Sequence, residues 1–170
     1  MTIHNFQESL AWSEEQADAP WWEQVYRKAW PDLKAMVSVR EDGWAQRAGI
    51  DRVLTLASGK VLKIDEKVRR QAYGDFFLEY LSAKEFNTPG WIEKPLDCDY
   101  IAYAFEPIAT CYLLPTQELQ RAWRNNKAQW LERYTPKEAL NGTYTTVGLP
   151  VPKDVVWAGL KDAMRIEWTP

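Results

Sequence analysis

Hydrophobic positions near the start of this chain recur at helical spacing. Trp22, Val25, Tyr26, Ala29 and Trp30 fall at i, i+3, i+4, i+7 and i+8 behind Pro20, and Pro31 closes the run, which predicts an amphipathic helix over 20–30. The period then changes to two. Met36–Arg40 reads as a strand and Glu41-Asp42-Gly43 as a turn. Leu54 and Leu56, then Leu62 and Ile64, alternate along two arms joined by Ala57-Ser58-Gly59, the pattern of a β-hairpin. Asp75 can cap a helix over 76–86 with Phe77 and Leu81 on its packing face, stopped by Thr88-Pro89-Gly90. Tyr100–Phe105 is strongly β-prone, and Thr110–Leu114 continues the sheet. Leu119, Trp123, Trp130 and Tyr134 mark a helix over 117–134. A capping box at Thr135-Pro136-Lys137-Glu138 opens a short helix ending at Asn141-Gly142, and Pro150 and Pro152 introduce a last one through Val156, Leu160 and Met164.

This order predicts an α/β fold, a mixed β-sheet flanked by helices in the sequence αβββαβ. A chain of 170 residues that is 46% hydrophobic suits a single domain. Its core is expected over about 20–115, with a C-terminal helical elaboration over about 116–170. No internal repeat or low-complexity tract interrupts it.

Candidate chemistry lies at the open end of the hairpin. Successive strand side chains point to opposite faces, so Asp65 and Lys67 share one face while Ile64 and Glu66 share the other. Asp51 enters the first arm close by. Two carboxylates converging on one point suit a hard divalent cation such as Mg²⁺. An ammonium beside that cation can orient water or stabilise charge on a phosphoryl oxygen. The same spacing also fits a ribbon whose exposed face carries Lys63, Asp65 and Lys67 as solvated charges.

Asp51, thirteen intervening residues, Asp65-Glu66-Lys67 and a following segment with Glu79 resemble the PD-(D/E)XK nuclease superfamily over roughly residues 20–115. Ile50 stands in place of the motif's proline, and Asp rather than Glu opens the triplet. The resemblance implies a restriction-endonuclease-like core and a Mg²⁺- or Mn²⁺-dependent deoxyribonuclease. It assigns Asp51 and Asp65 as metal ligands, the Glu66 main-chain carbonyl as a further donor, Lys67 as the residue serving the attacking water, and Glu79 as an additional carboxylate. Glu15 and Glu23 are first-helix acids of the kind many members carry. Arg69, Arg70 and Gln71 follow the triplet and are expected to meet the DNA backbone. The partner is then DNA, with a homodimer admitted and no membrane. The alternative is a catalytically inactive protein on the same fold that binds DNA or a protein partner, of the type found in conflict between phage and host.

Composition narrows the field further. The single histidine, His4, disfavours Ser-His-Asp hydrolases, zinc peptidases and two-histidine ribonucleases. No P-loop or dinucleotide fingerprint occurs. Cys98 and Cys111 sit among apolar neighbours and read as buried thiols. The Asn141-Gly142-Thr143 sequon reads as a turn. The formal charge of −3 argues against a general nucleic-acid coat protein, yet residues 60–70 hold five basic against two acidic groups. Arg121, Arg124 and Lys127 form a second basic cluster. No apolar run is long enough to span a membrane and the first residues lack signal-peptide order, so the expected location is the cytoplasm. Most of the ten tryptophans fall on core stripes, leaving Trp44 and Trp91 as the better candidates for contacting unpaired bases.

Overall fold

The 3.6-residue stripe folds as expected. In the computed structural model, which describes Trp12 and residues 15–170, Trp22, Val25 and Tyr26 are fully buried along helix α1 (Trp21–Ala29). His4 lies outside the described residues. Glu23 and Arg27, one turn apart on the exposed side of α1, form an ion pair at 2.8 Å. The chain as a whole divides into two compact units.

The first unit comprises Glu15–Ala72, Leu96–Thr116 and Asp162–Pro170. Its sheet begins as an antiparallel meander of β1 (Leu33–Ser38), β2 (Arg52–Leu56) and β3 (Val61–Arg69), with Met36 opposite Leu54 and Leu54 opposite Leu62. Strand β3 then pairs in parallel with a strand at Tyr100–Phe105, Asp65 opposite Ile101 and Lys67 opposite Tyr103. That strand hairpins into Thr110–Pro115, and Met164–Glu167 closes the far edge, giving six strands in all. Even-numbered side chains of the meander, Leu54, Leu56, Leu62 and Ile64, pack with Trp22 and Tyr26 into one hydrophobic cluster. Helix α1 therefore covers that face.

The second unit comprises the described residues of Tyr73–Pro95 and Gln117–Lys161. Strand β4 (Asp75–Ala83) pairs with β5 (Thr88–Pro89). The strands of the first unit at 100–105 and 110–115 are β6 and β7 in chain order, followed by the long helix α3 (Thr116–Arg133). Strands β8 (Lys137–Asn141) and β9 (Tyr144–Pro152) form a hairpin, β9 pairs with β4, and a short helix α4 (Lys153–Trp157) precedes the edge strand β10 (Met164–Glu167). Helix α2 (Gly43–Arg47) is a single short turn in the β1–β2 connection, capped by Asp42, whose carboxylate accepts from the amides of Trp44 and Ala45. The chain is a mixed α/β protein with a mixed sheet. Among the described residues no helix is long and apolar enough to cross a membrane.

Three expectations are corrected. The segment expected as a helix over 76–86 is strand β4, because Phe76 and Leu78 are both fully buried at period two. That pattern outweighs the Phe77–Leu81 spacing. The helix expected from the capping box is the β8–β9 hairpin, turned at Gly142-Thr143 with Gly142 at φ +61, a Gly-X loop suited to tight hairpins. The expected last helix shrinks to α4, and Met164 begins β10, so the C-terminal part is not a purely helical elaboration. Trp91 is buried whereas Trp44 is 64% exposed.

Ala109 closes the β6–β7 turn at φ +46 while its carbonyl accepts from Trp168 N at 3.0 Å. Left-handed backbone costs an L-residue about 1 kcal/mol or more, and glycine avoids that cost while losing some unfolded-state entropy. Ala109→Gly is expected to raise the melting midpoint by about 1–3 °C. An unchanged or lower midpoint in a thermal melt would contradict this assignment of strain.

Candidate active site

Backbone hydrogen bonds fix Asp51 at the mouth of the meander. Its N–H donates to Ile64 O at 2.8 Å, and its carbonyl accepts from Val39 N at 2.9 Å. Gly49, at φ +72, makes the bend just before it, with Leu96 packed where a Cβ would stand. The Asp51 carboxylate then accepts the Glu66 amide through Oδ2 at 2.7 Å. A carboxylate on one arm thus caps a main-chain donor on the other.

Asp65 lies immediately before that amide and is 7% exposed. Lys67, two residues on and so on the same face, brings Nζ to 3.0 Å from Asp65 Oδ2 and 3.3 Å from Oδ1. Glu66 points to the opposite face, where its side chain is fully buried. There it accepts from Tyr26 Oη at 2.6 Å, Arg52 Nε at 2.5 Å and Nη2 at 3.2 Å, and Arg40 Nη2 at 2.8 Å. Arg52 Nη2 also donates to Ala17 O at 2.6 Å. Arg40 reaches both sides, because its Nη1 lies 3.6 Å from Asp51 Oδ1.

The electrostatics follow from this arrangement. Burial, and after it the neighbouring Asp65 charge, push the Asp51 carboxyl up to about 6, with Arg40 and the Glu66 amide pulling the other way. Burial beside Glu66 drives the Tyr26 phenol well above its usual range. The Cys98 thiol, 3.2 Å from Thr116 Oγ1, is pushed up to about 12 by burial, and burial raises the Cys111 thiol as well. Thiols held protonated are poor nucleophiles.

The structure pairs Asp65 with Lys67 on one face, as the alternation predicts, and holds Asp51 on the amide that follows Asp65. Arg69 ends β3 half-buried, while Arg70 and Gln71 are exposed in the bend after it. Glu79 stands on strand β4 in the second unit rather than on a helix. Glu15 is exposed, and Glu23 is exposed and paired with Arg27. Tyr26, Arg40 and Arg52 were not identified from the sequence as partners of the site. A signal for Arg52 existed: Arg52 shares the register of Leu54 and Leu56, and Glu66 that of Leu62 and Ile64. Opposite charges in core-facing register on adjacent arms imply a buried pair.

Comparison of this chain with protein-family models, curated proteins and solved structures gives no match. Chemistry must therefore be judged from the donor set. Asp51 and Asp65 carry hard oxygen donors, but among the described residues no group of three or more His, Cys, Asp or Glu side chains forms a metal-holding cluster. Two carboxylates fit Mg²⁺ or Mn²⁺ better than zinc or calcium, since Mg²⁺ keeps several waters and needs only one or two protein carboxylates beside a substrate phosphate.

Ionising Asp51 costs stability. With its pKa raised from 3.8 to about 6, the folded state holds a proton that the unfolded state has released between those values. The penalty is therefore absent below about pH 4 and complete above about pH 6, at most about 3 kcal/mol. Asp51→Asn is expected to melt above the wild type at pH 8, with the advantage shrinking as pH falls from 6 to 4. A variant less stable than the wild type at pH 8 would contradict this.

Proposed function

We propose that this chain is a divalent-metal-dependent nuclease of the PD-(D/E)XK type that hydrolyses phosphodiester bonds in DNA. The observation that carries the reading is the Lys67 ammonium on the buried Asp65 carboxylate, with the partly buried Asp51 of the adjacent arm held on the amide that follows Asp65. An acidic pair of this kind gains from a bound cation. The topology agrees in part with the expected core. The β1–β2–β3 meander followed by the parallel strand β6 supports the reading. The segment that a helix was expected to occupy between β3 and β6 contains β4 instead.

In this mechanism Asp51 and Asp65 would hold the ion, with the Glu66 carbonyl as a further donor. The bound cation supplies a Lewis acid for the scissile phosphate. Lys67, held by Asp65, orients the attacking water and stabilises charge developing on the phosphoryl oxygens. Asp65 keeps that ammonium aimed at the reacting centre. Arg69, Arg70 and Gln71, at and just past the end of β3, would position the nucleic-acid backbone.

Lys67→Ala separates chemistry from assembly, because it leaves both carboxylates in place. The variant is expected to retain Mn²⁺ binding while turnover on plasmid or oligonucleotide DNA falls by about 10²- to 10³-fold. If the wild type cuts no nucleic acid with Mg²⁺ or Mn²⁺, or if Lys67→Ala cuts as fast, the nuclease reading fails and the inactive binding protein takes its place. The double variant Arg69→Ala/Arg70→Ala is expected to weaken DNA binding similarly across sequences and to lower the salt slope by about two units. An unchanged slope would remove both arginines from the interface.

A further inference from the structure

The charges around Glu66 do not divide evenly. Arg52 alone forms a two-point contact with the carboxylate at 2.5 and 3.2 Å, and Tyr26 adds a third donor at 2.6 Å. One guanidinium already neutralises Glu66, so the charge of Arg40 is left over. Its geometry shows where that charge is directed. Nη2 is fixed on Glu66 Oε2 at 2.8 Å, while Nη1 stands 3.6 Å from Asp51 Oδ1, within ion-pair range but beyond hydrogen-bond length. The group is firmly held at one end and loosely at the other.

Asp51 does not rely on that loose contact for its place. Its other oxygen, Oδ2, is held by the Glu66 amide at 2.7 Å, so Oδ1 can exchange one cationic partner for another without the side chain moving. Asp65 meanwhile has Lys67 at 3.0 Å. Each member of the acidic pair thus carries its own cation. Resting on the reading of Asp51 and Asp65 as metal-holding carboxylates, we propose that Arg40 is a positioning residue acting through Asp51: its guanidinium is the resident counter-cation of Oδ1 and yields that oxygen to an incoming divalent ion. Arg40 keeps the acidic pair folded together without metal and lowers the site's affinity for it.

The test is Mn²⁺ binding to the DNA-free protein, followed by electron paramagnetic resonance. Arg40→Gln keeps a donor for Glu66 and removes the charge, whereas Arg40→Lys keeps the charge. Arg40→Gln is expected to bind Mn²⁺ on the order of ten-fold more tightly, and Arg40→Lys to stay within about two-fold of the wild type. Thermal melts verify that the variants fold. A second measurement needs no substitution at Arg40. Its Nε is buried and without a hydrogen-bond partner among the described residues, so its proton is shielded from solvent and suits NMR observation. Saturating Mg²⁺ is expected to shift that resonance in the wild type and to leave it unmoved in Asp51→Asn. Arg40→Gln binding Mn²⁺ no more tightly than the wild type, or an Arg40 resonance that ignores Mg²⁺, overturns the proposal while the nuclease reading stands. A wild type that binds no Mn²⁺ overturns both.

Discussion

A carboxylate with no contact with solvent ties the first unit together. Glu66 lies on the face of β3 that carries the hydrophobic cluster, where an ion without partners would not be tolerated. It is satisfied by Tyr26 from α1, Arg52 from β2 and Arg40 just after β1. Removing one partner of such a buried pair typically costs about 3–5 kcal/mol. The requirement also fixes register. A slip of one residue between β2 and β3 would carry Arg52 to the opposite face from Glu66, along with Leu54 and Leu56. The register that lets Arg52 meet Glu66 is the one that sets Asp51 beside Asp65.

Strand β3 therefore works on two sides. Its even positions, Leu62, Ile64 and Glu66, are held by the core and by paired charges, while Asp65 and Lys67 pair with each other on the odd side. The Glu66 amide joins the two sides by binding Asp51. The odd side is the less stable arrangement, since burial and a like charge both oppose ionisation of Asp51. The proposed metal site would relieve that cost, because a bound cation offsets the like charges. On the even side, cationic partners surround Glu66 at hydrogen-bond distance.

Much of this was legible in the sequence where local periodicity decides the structure. The α1 stripe, the β2–β3 hairpin and α3 follow from spacing, and with the hairpin the shared face of Asp65 and Lys67, while β6 and β7 follow from β-propensity. Two segments misled because competing local signals were both present. Phe77 and Leu81 suggested a helix where Phe76 and Leu78 alternate as a strand, and the Thr135–Glu138 capping box obscured the hairpin turn at Gly142-Thr143. The Glu66 network was harder to read for a different reason. Its members are separated by 14 to 40 positions, so only tertiary packing reveals that they meet. What the sequence did carry was the anomaly of Arg52 and Glu66 in core-facing register, which reads as a buried pair only once the two arms are known to be neighbours.

A crystal of the wild-type protein soaked in Mn²⁺ above pH 7 and measured at the manganese edge tests the central claim most directly. The account predicts one anomalous peak at Asp51 and Asp65, within coordination distance of both carboxylates, with the Glu66–Arg52 contact intact. Two ordered carboxylates turned apart with no anomalous density between them would contradict the account.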